Sequence, residues 1–170
     1  MNHPLYQATV PVFVQLLGSL DAILTKAQAQ ATARKFDADA LLQSRLFPDM
    51  FAFARQVQLT CDFAKSVPAR LAAIEVPSHA DTERTFDELH ARIAKTLAFI
   101  RGIDPAAFAG SETHAIVLHP GKPNERRFAD GTAYALHYGL PNFYFHVTTA
   151  YNLLRHNGIE IGKKDYLGQY

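Results

Sequence analysis

The chain has 170 residues, 48% of them hydrophobic, which suits one domain able to bury a core without disulfides or structural metals. Charged residues make up only 19%, and 17 Lys+Arg against 16 Asp+Glu leave a formal charge of +1, so no basic field exists to hold a phosphate backbone and nucleic acid is not an expected partner. The single Cys61 excludes an internal disulfide and a multi-cysteine zinc cluster, no stretch approaches about 20 uninterrupted apolar residues, and the N-terminus lacks a secretory pattern, so the chain is read as cytoplasmic with no membrane partner.

The first long segment carries Tyr6, Val10, Phe13, Leu17, Leu20 and Leu24 at helical spacing, which places them on one stripe. Pro11 lies inside it; having no N–H to give and crowding the carbonyl four residues back, it makes the helix kink or begin there, and a kink is the reading adopted. Lys35 to Asp39 breaks the stripe, with Asp37 or Asp39 as the cap of a short turn through Leu41, Leu42 and Leu46. Pro48-Asp49 reads as the next helix start, because proline is tolerated in a first turn. Met50, Ala54, Val57, Cys61 and Ala64 form its stripe, and Phe51, Phe53, Leu59 and Phe63 widen it. From Thr82 a third helix shows Phe86, Leu89, Ile93, Leu97 and Ile100 on one face, with Gly102 as its stop.

Residues 103–132 change character. His114 to His119 is a β-prone run before Pro120-Gly121-Lys122-Pro123-Asn124, and a hairpin returns through Arg126, Arg127 and Phe128. Asp130-Gly131-Thr132 opens a helical piece to Gly139, and the last helix starts near Pro141 with Phe143, Val147, Ala150 and Leu154 as its stripe, ending at Asn157-Gly158. The tail from Ile159 to Tyr170 is expected to be irregular. Each apolar stripe needs another to cover it, so the fold class is all-α: one four-helix-bundle domain over 1–170, with a small β-hairpin inserted at about 112–130, before the last helix.

The segment Asn142-Phe143-Tyr144-Phe145-His146, followed by Leu153-Leu154-Arg155-His156-Asn157-Gly158, resembles the last helix of the DinB/YfiT-like superfamily of four-helix bundles. Leu140 to His146 with Ile161 to Gly168, Val10-Pro11-Val12-Phe13 and Phe47-Pro48-Asp49-Met50-Phe51 resemble an uncharacterised bacterial branch of it, a domain of unknown function. In metal-binding members of that superfamily, a histidine on the second helix joins two histidines four residues apart on the fourth. The resemblance implies that Asn142 and His146 occupy the fourth-helix pair, and that Gln56 or Gln58 stands where the second-helix histidine would be. Amide oxygens bind zinc or nickel weakly beside imidazole, so no cofactor is expected at this degenerate site.

His146 is therefore the residue singled out. It projects about 70° off the core stripe, on the side of Asn142 and Thr149, which defines a candidate polar pocket of His146, Asn142, Gln56 or Gln58, and Tyr6. The bland alternative is a half-buried imidazole satisfied by neighbouring amides. His137 approaches His146 only if the chain bends between them. His114 and His119, five apart on a strand, face opposite sides; His79, His90 and His156 are read as surface residues, and Cys61 as a small hydrophobe. The leading expectation is a small-molecule-binding or stress-associated accessory protein. One alternative is a metal-dependent thiol transferase or isomerase using His146, His137 and a carboxylate such as Asp62; another is a structural homodimer associating through Tyr144 and Phe145, set against burial of those aromatics by the hairpin and tail of the same chain.

Overall fold

The structure, a computed structural model, describes residues 3–170. Helix α1 (Pro4–Ala33) uses Pro4 in its first turn and runs on through Pro11 rather than beginning there. Pro11 and Gln7 both lie on the exposed face, so the carbonyl that proline leaves without a helical partner meets solvent. Of the stripe, Val10, Phe13, Leu17, Leu20 and Leu24 are buried and Tyr6 is half-buried. An 18-residue window of this helix reaches a mean hydropathy of 1.5, so by length and composition α1 is apolar enough to cross a membrane, while Gln15, Ser19 and Asp21 keep every uninterrupted apolar run well short of about 20 residues. Gly18 and Ser19 interrupt the apolar run without lowering its average far, and half of the window is buried within the bundle.

Asp37 caps the 3-10 turn Ala38–Gln43, accepting a hydrogen bond from the Asp39 N–H at 3.0 Å. Asp39 in turn accepts from the Phe86 N–H at 2.8 Å, tying this turn to the third helix. Helix α2 (Phe53–Leu71) begins later than Pro48. The Met50 N–H closes a turn on the Phe47 carbonyl at 3.0 Å, Ala52 is extended, and the Phe53 N–H is held by the Ser44 carbonyl at 2.9 Å, so Pro48 serves a turn and Phe51 is left exposed outside the helix. Helix α3 (Phe86–Arg101) starts at Thr85 rather than Thr82, through a reciprocal cap: the Glu88 N–H donates to Thr85 Oγ1 at 3.1 Å, and the Glu88 carboxylate accepts from the Thr85 N–H at 3.2 Å.

Strands β1 (Ile116–Leu118) and β2 (Arg126–Phe128) pair antiparallel, Ile116 opposite Phe128. His114 and His119 fall outside β1, so the opposite-face argument does not apply to them. Asp130 caps the short α4 (Gly131–Tyr134), a π turn spans Ala135–Gly139, and α5 (Leu140–His156) follows without a break. Phe143, Val147, Ala150 and Leu154 are all buried. The tail is not irregular: it forms α6 (Lys163–Leu167), packed on α1, where Gln15 Nε2 donates to the Leu167 carbonyl at 2.8 Å and Lys26 pairs with Asp165. Five residues carry too little periodicity to be read as a helix, and its partner lies more than a hundred residues away.

Helix α2 packs along α5 and α3, and α1 closes the bundle against α3, α2 and α5. Tyr166 of the tail also reaches α5, where its hydroxyl meets Thr148 Oγ1 at 3.0 Å and its ring packs edge-on against Tyr151, yet Phe145 remains 55% and Tyr144 40% exposed. The hairpin and α4 are docked by close backbone approach: a Cβ on Gly131 would lie 2.0 Å from the Ser111 carbonyl oxygen and 2.9 Å from Leu71 Cδ2. Gly131→Ala therefore lowers stability by about 1–3 kcal/mol, the usual cost of overpacking, read as a lower melting temperature in thermal unfolding; an unchanged melting temperature contradicts this account of the docking.

Candidate functional site

Helix α5 aims His146 into its seam with α2, leaving it 8% exposed. Its Nδ1 lies 2.8 Å from Gln56 Oε1. Gln56 Nε2 donates to the Phe51 carbonyl at 3.2 Å, which orients the amide so that its oxygen faces the imidazole. Nδ1 is accordingly assigned the proton by the hydrogen-bond network, and it donates to Gln56. Phe63 stacks on the ring at 5.7 Å, and Phe145 meets it edge-on at 5.2 Å. Burial foremost, and then the positive charge of Arg55, push the imidazole down to about 4. At neutral pH it is an uncharged donor to an amide.

The other residues of the expected pocket lie elsewhere. Asn142 Nδ2 donates to the Tyr138 carbonyl at 2.7 Å, within its own helical rod. Gln58 is buried but donates to Glu83 at 2.8 Å and accepts from Arg55 at 3.2 Å, on a different face of α2 from Gln56. Tyr6 packs edge-on against Phe108 at 5.3 Å. His137 is exposed on the π turn. Asp62 is held by Lys65 at 2.7 Å and Arg92 at 2.8 Å. The structure thus joins His146 to Gln56 alone, and among the described residues no group of three His, Cys, Asp or Glu side chains is placed to hold a metal ion. Gln56, Asn142 and His146 do not fit a three-imidazole centre, because both amides are already committed to neighbours. Cys61 is fully buried and its thiol is pushed up to about 12, chiefly by that burial, which suits a packing role.

Two histidines read as surface residues are not free. His90 sits between Asp21 and Gln28. His79 has both ring nitrogens buried with no hydrogen-bond partner among the described residues.

The sequence reading missed a cleft of about 870 Å³ that opens between α2, the segment 76–79 and the hairpin. Arg55, Leu59, Asp62, Phe63, Ser66 and Arg70, three or four residues apart along α2, form one wall. The spacing carries this signal, but it is masked by the apolar stripe that Phe53, Leu59 and Phe63 widen. The π turn supplies Tyr138, which meets Phe63 edge-on at 5.8 Å and lies beneath Arg126 at 5.4 Å. Such turns recur at functional sites because their extra residue re-aims a side chain. Gly139 allows this rod to approach α2: a Cβ there would come 2.7 Å from Val67 Cγ2.

Residues 5–167 match the sequence family described as a domain of unknown function, DUF1993. The chain belongs to that family. It is also similar to a DinB family member protein from Shewanella denitrificans of known crystal structure, with 45% identity over 98% of this chain and 93% of that one, and a TM-score of 0.90. The fold is therefore that of a DinB-like helical protein, as the resemblance implied. A search of curated proteins found no match.

Because the folded His146 holds its proton less tightly than an ordinary imidazole near 6.5, the unfolded chain binds more protons in acid. The stability this residue supports is fully present above that ordinary value and is lost as pH falls toward 4, by an amount on the order of 3 kcal/mol. Urea unfolding at neutral and acid pH reads it: His146→Gln flattens the pH dependence, whereas an NMR titration midpoint for His146 near 6.5 contradicts the assignment.

Proposed function

We propose that this DUF1993 protein binds a small molecule in the cleft beside α2, and that its metal-ligand positions have been converted to a neutral hydrogen-bonded seam. The observation carrying this is the buried His146–Gln56 pair at 2.8 Å: the one imidazole retained from the metal-binding pattern is engaged by an amide, which is a poor zinc or nickel ligand. The adjoining cleft has the volume of ordinary ligand sites, and its walls mix charged and polar side chains with the apolar faces of Leu59, Phe63, Pro77, Leu118 and Tyr138. An accessory role in which the protein senses or carries its ligand suits this chemistry better than acid–base turnover, since an imidazole held near 4 is far from the value at which a general base works at neutral pH.

Thermal unfolding of untagged protein against a panel of divalent metals and small metabolites tests the proposal. A ligand that binds only the folded chain raises the melting temperature by mass action. The expected result is stabilisation by at least one metabolite, diminished by substituting Tyr138 or Arg70, and none by zinc, nickel or iron. Stabilisation by a metal that is lost in His146→Ala contradicts it.

A further inference from the structure

The charges around the cleft fall into two sets. Arg55, Lys65 and Arg92 are matched by Asp62, Asp81 and Glu83: Arg92 reaches Asp62 at 2.8 Å, Glu83 at 2.9 Å and Asp81 at 3.0 Å, Lys65 reaches Asp62 at 2.7 Å, and Arg55 pairs with Asp81. That network is neutral overall. Arg70 and Lys122, on the α2 and hairpin walls, form no ion pair among the described residues. Among the described residues the Arg70 guanidinium has only neutral partners, the Tyr134 hydroxyl at 3.1 Å and the Ser66 carbonyl at 3.5 Å. Arg126 over Tyr138 adds a third cation near the same rim. A chain of nearly zero net charge thus concentrates uncompensated positive charge at this cleft.

His79, on the segment facing α2, supplies a second and independent observation. Buried polar atoms ordinarily have partners, and both of its ring nitrogens lack one while the residue lines the cleft. Burial, together with Lys65, Lys95 and Arg92, holds this imidazole below its ordinary value, so it offers one N–H donor and one acceptor rather than a charge. Phe63, Tyr138, Leu59 and Pro77 add apolar surface to the same cleft.

We propose that the cleft binds a small organic anion, its carboxylate or phosphate headgroup held between Arg70 and Lys122 and its apolar body laid against Phe63 and Tyr138. This rests on the small-molecule reading above and names the ligand class. Arginine presents parallel donors that match either headgroup, and a charge-assisted pair is stronger than a neutral hydrogen bond. The ring faces of Phe63 and Tyr138 give the organic body a surface that inorganic phosphate cannot use.

Isothermal titration calorimetry at low ionic strength with phenyl phosphate, phenylacetate, inorganic phosphate and benzyl alcohol tests this. At least one of the two aromatic anions is expected to bind about 10-fold or more tighter than both inorganic phosphate and benzyl alcohol, and the tighter of the two identifies the headgroup. Arg70→Gln is expected to weaken that anion about 10-fold or more, as loss of a charged hydrogen bond does. Because Arg70 also meets buried Tyr134, Lys122→Gln is the second variant: exposed and away from the core, it is expected to weaken the same anion several-fold with an unchanged melting temperature. Benzyl alcohol binding as tightly as the anions, or neither substitution changing anion affinity, overturns the anion proposal while leaving the small-molecule reading standing. Inorganic phosphate binding as tightly as the aromatic anions overturns the organic body. No heat from any of the four probes at millimolar concentration also overturns the proposal, and the metabolite panel then judges the broader reading separately.

Discussion

A single imidazole-to-carboxamide hydrogen bond across the seam of α2 and α5 sets the character of the site. His146 and Gln56 are both buried, and each satisfies the other without introducing charge into an apolar interface. The Phe51 carbonyl fixes the amide, while Phe63 and Phe145 cover the ring. Losing either partner would strand a buried polar group at a cost of about 1–3 kcal/mol, more than the bond itself contributes net. The seam is consequently a structural element of the bundle.

The same helix then does two jobs on neighbouring faces. Gln56 and Phe63 look toward α5, whereas Asp62, Ser66 and Arg70 look toward the hairpin and the segment 76–79. Phe63 belongs to both faces, stacking on His146 and meeting Tyr138 at the cleft. The π turn couples them: it sets Tyr138 at the cleft and gives the Asn142 amide a carbonyl to bind, so that Asn142 braces the turn instead of facing His146. Through Phe63 and Tyr138, the neutral seam forms the back wall of a cationic cleft.

The long helices were legible because their stripes are buried by one another, as Phe143, Val147, Ala150 and Leu154 show on α5 and Phe86, Leu89, Ile93 and Ile100 on α3. The hairpin was legible from its turn residues, and Asp37 and Asp130 from capping chemistry alone. What escaped was decided by tertiary contact. The start of α2 depends on Ser44 holding the Phe53 N–H, and α6 depends on α1. Gln56 and Gln58 are indistinguishable by composition; two positions on a helix separate them by about 200°, and only the placement of α5 and of the Arg92 network selects Gln56 for His146. That the nitrogens of His79 find no partner and the charge on Arg70 no counter-ion among the described residues is a property of assembled surfaces, for which no spacing rule exists.

If the seam is a metal centre with two of its ligands replaced, restoring them should restore the chemistry. Zinc calorimetry on the wild-type chain and on the double variant Gln56→His, Asn142→His makes the most direct comparison, since residue 56 already meets His146 and residue 142 stands one turn before it on α5. The variant is predicted to take up one equivalent of zinc tightly and the wild-type chain none. One equivalent bound by the wild-type chain as tightly as by the variant would contradict the account.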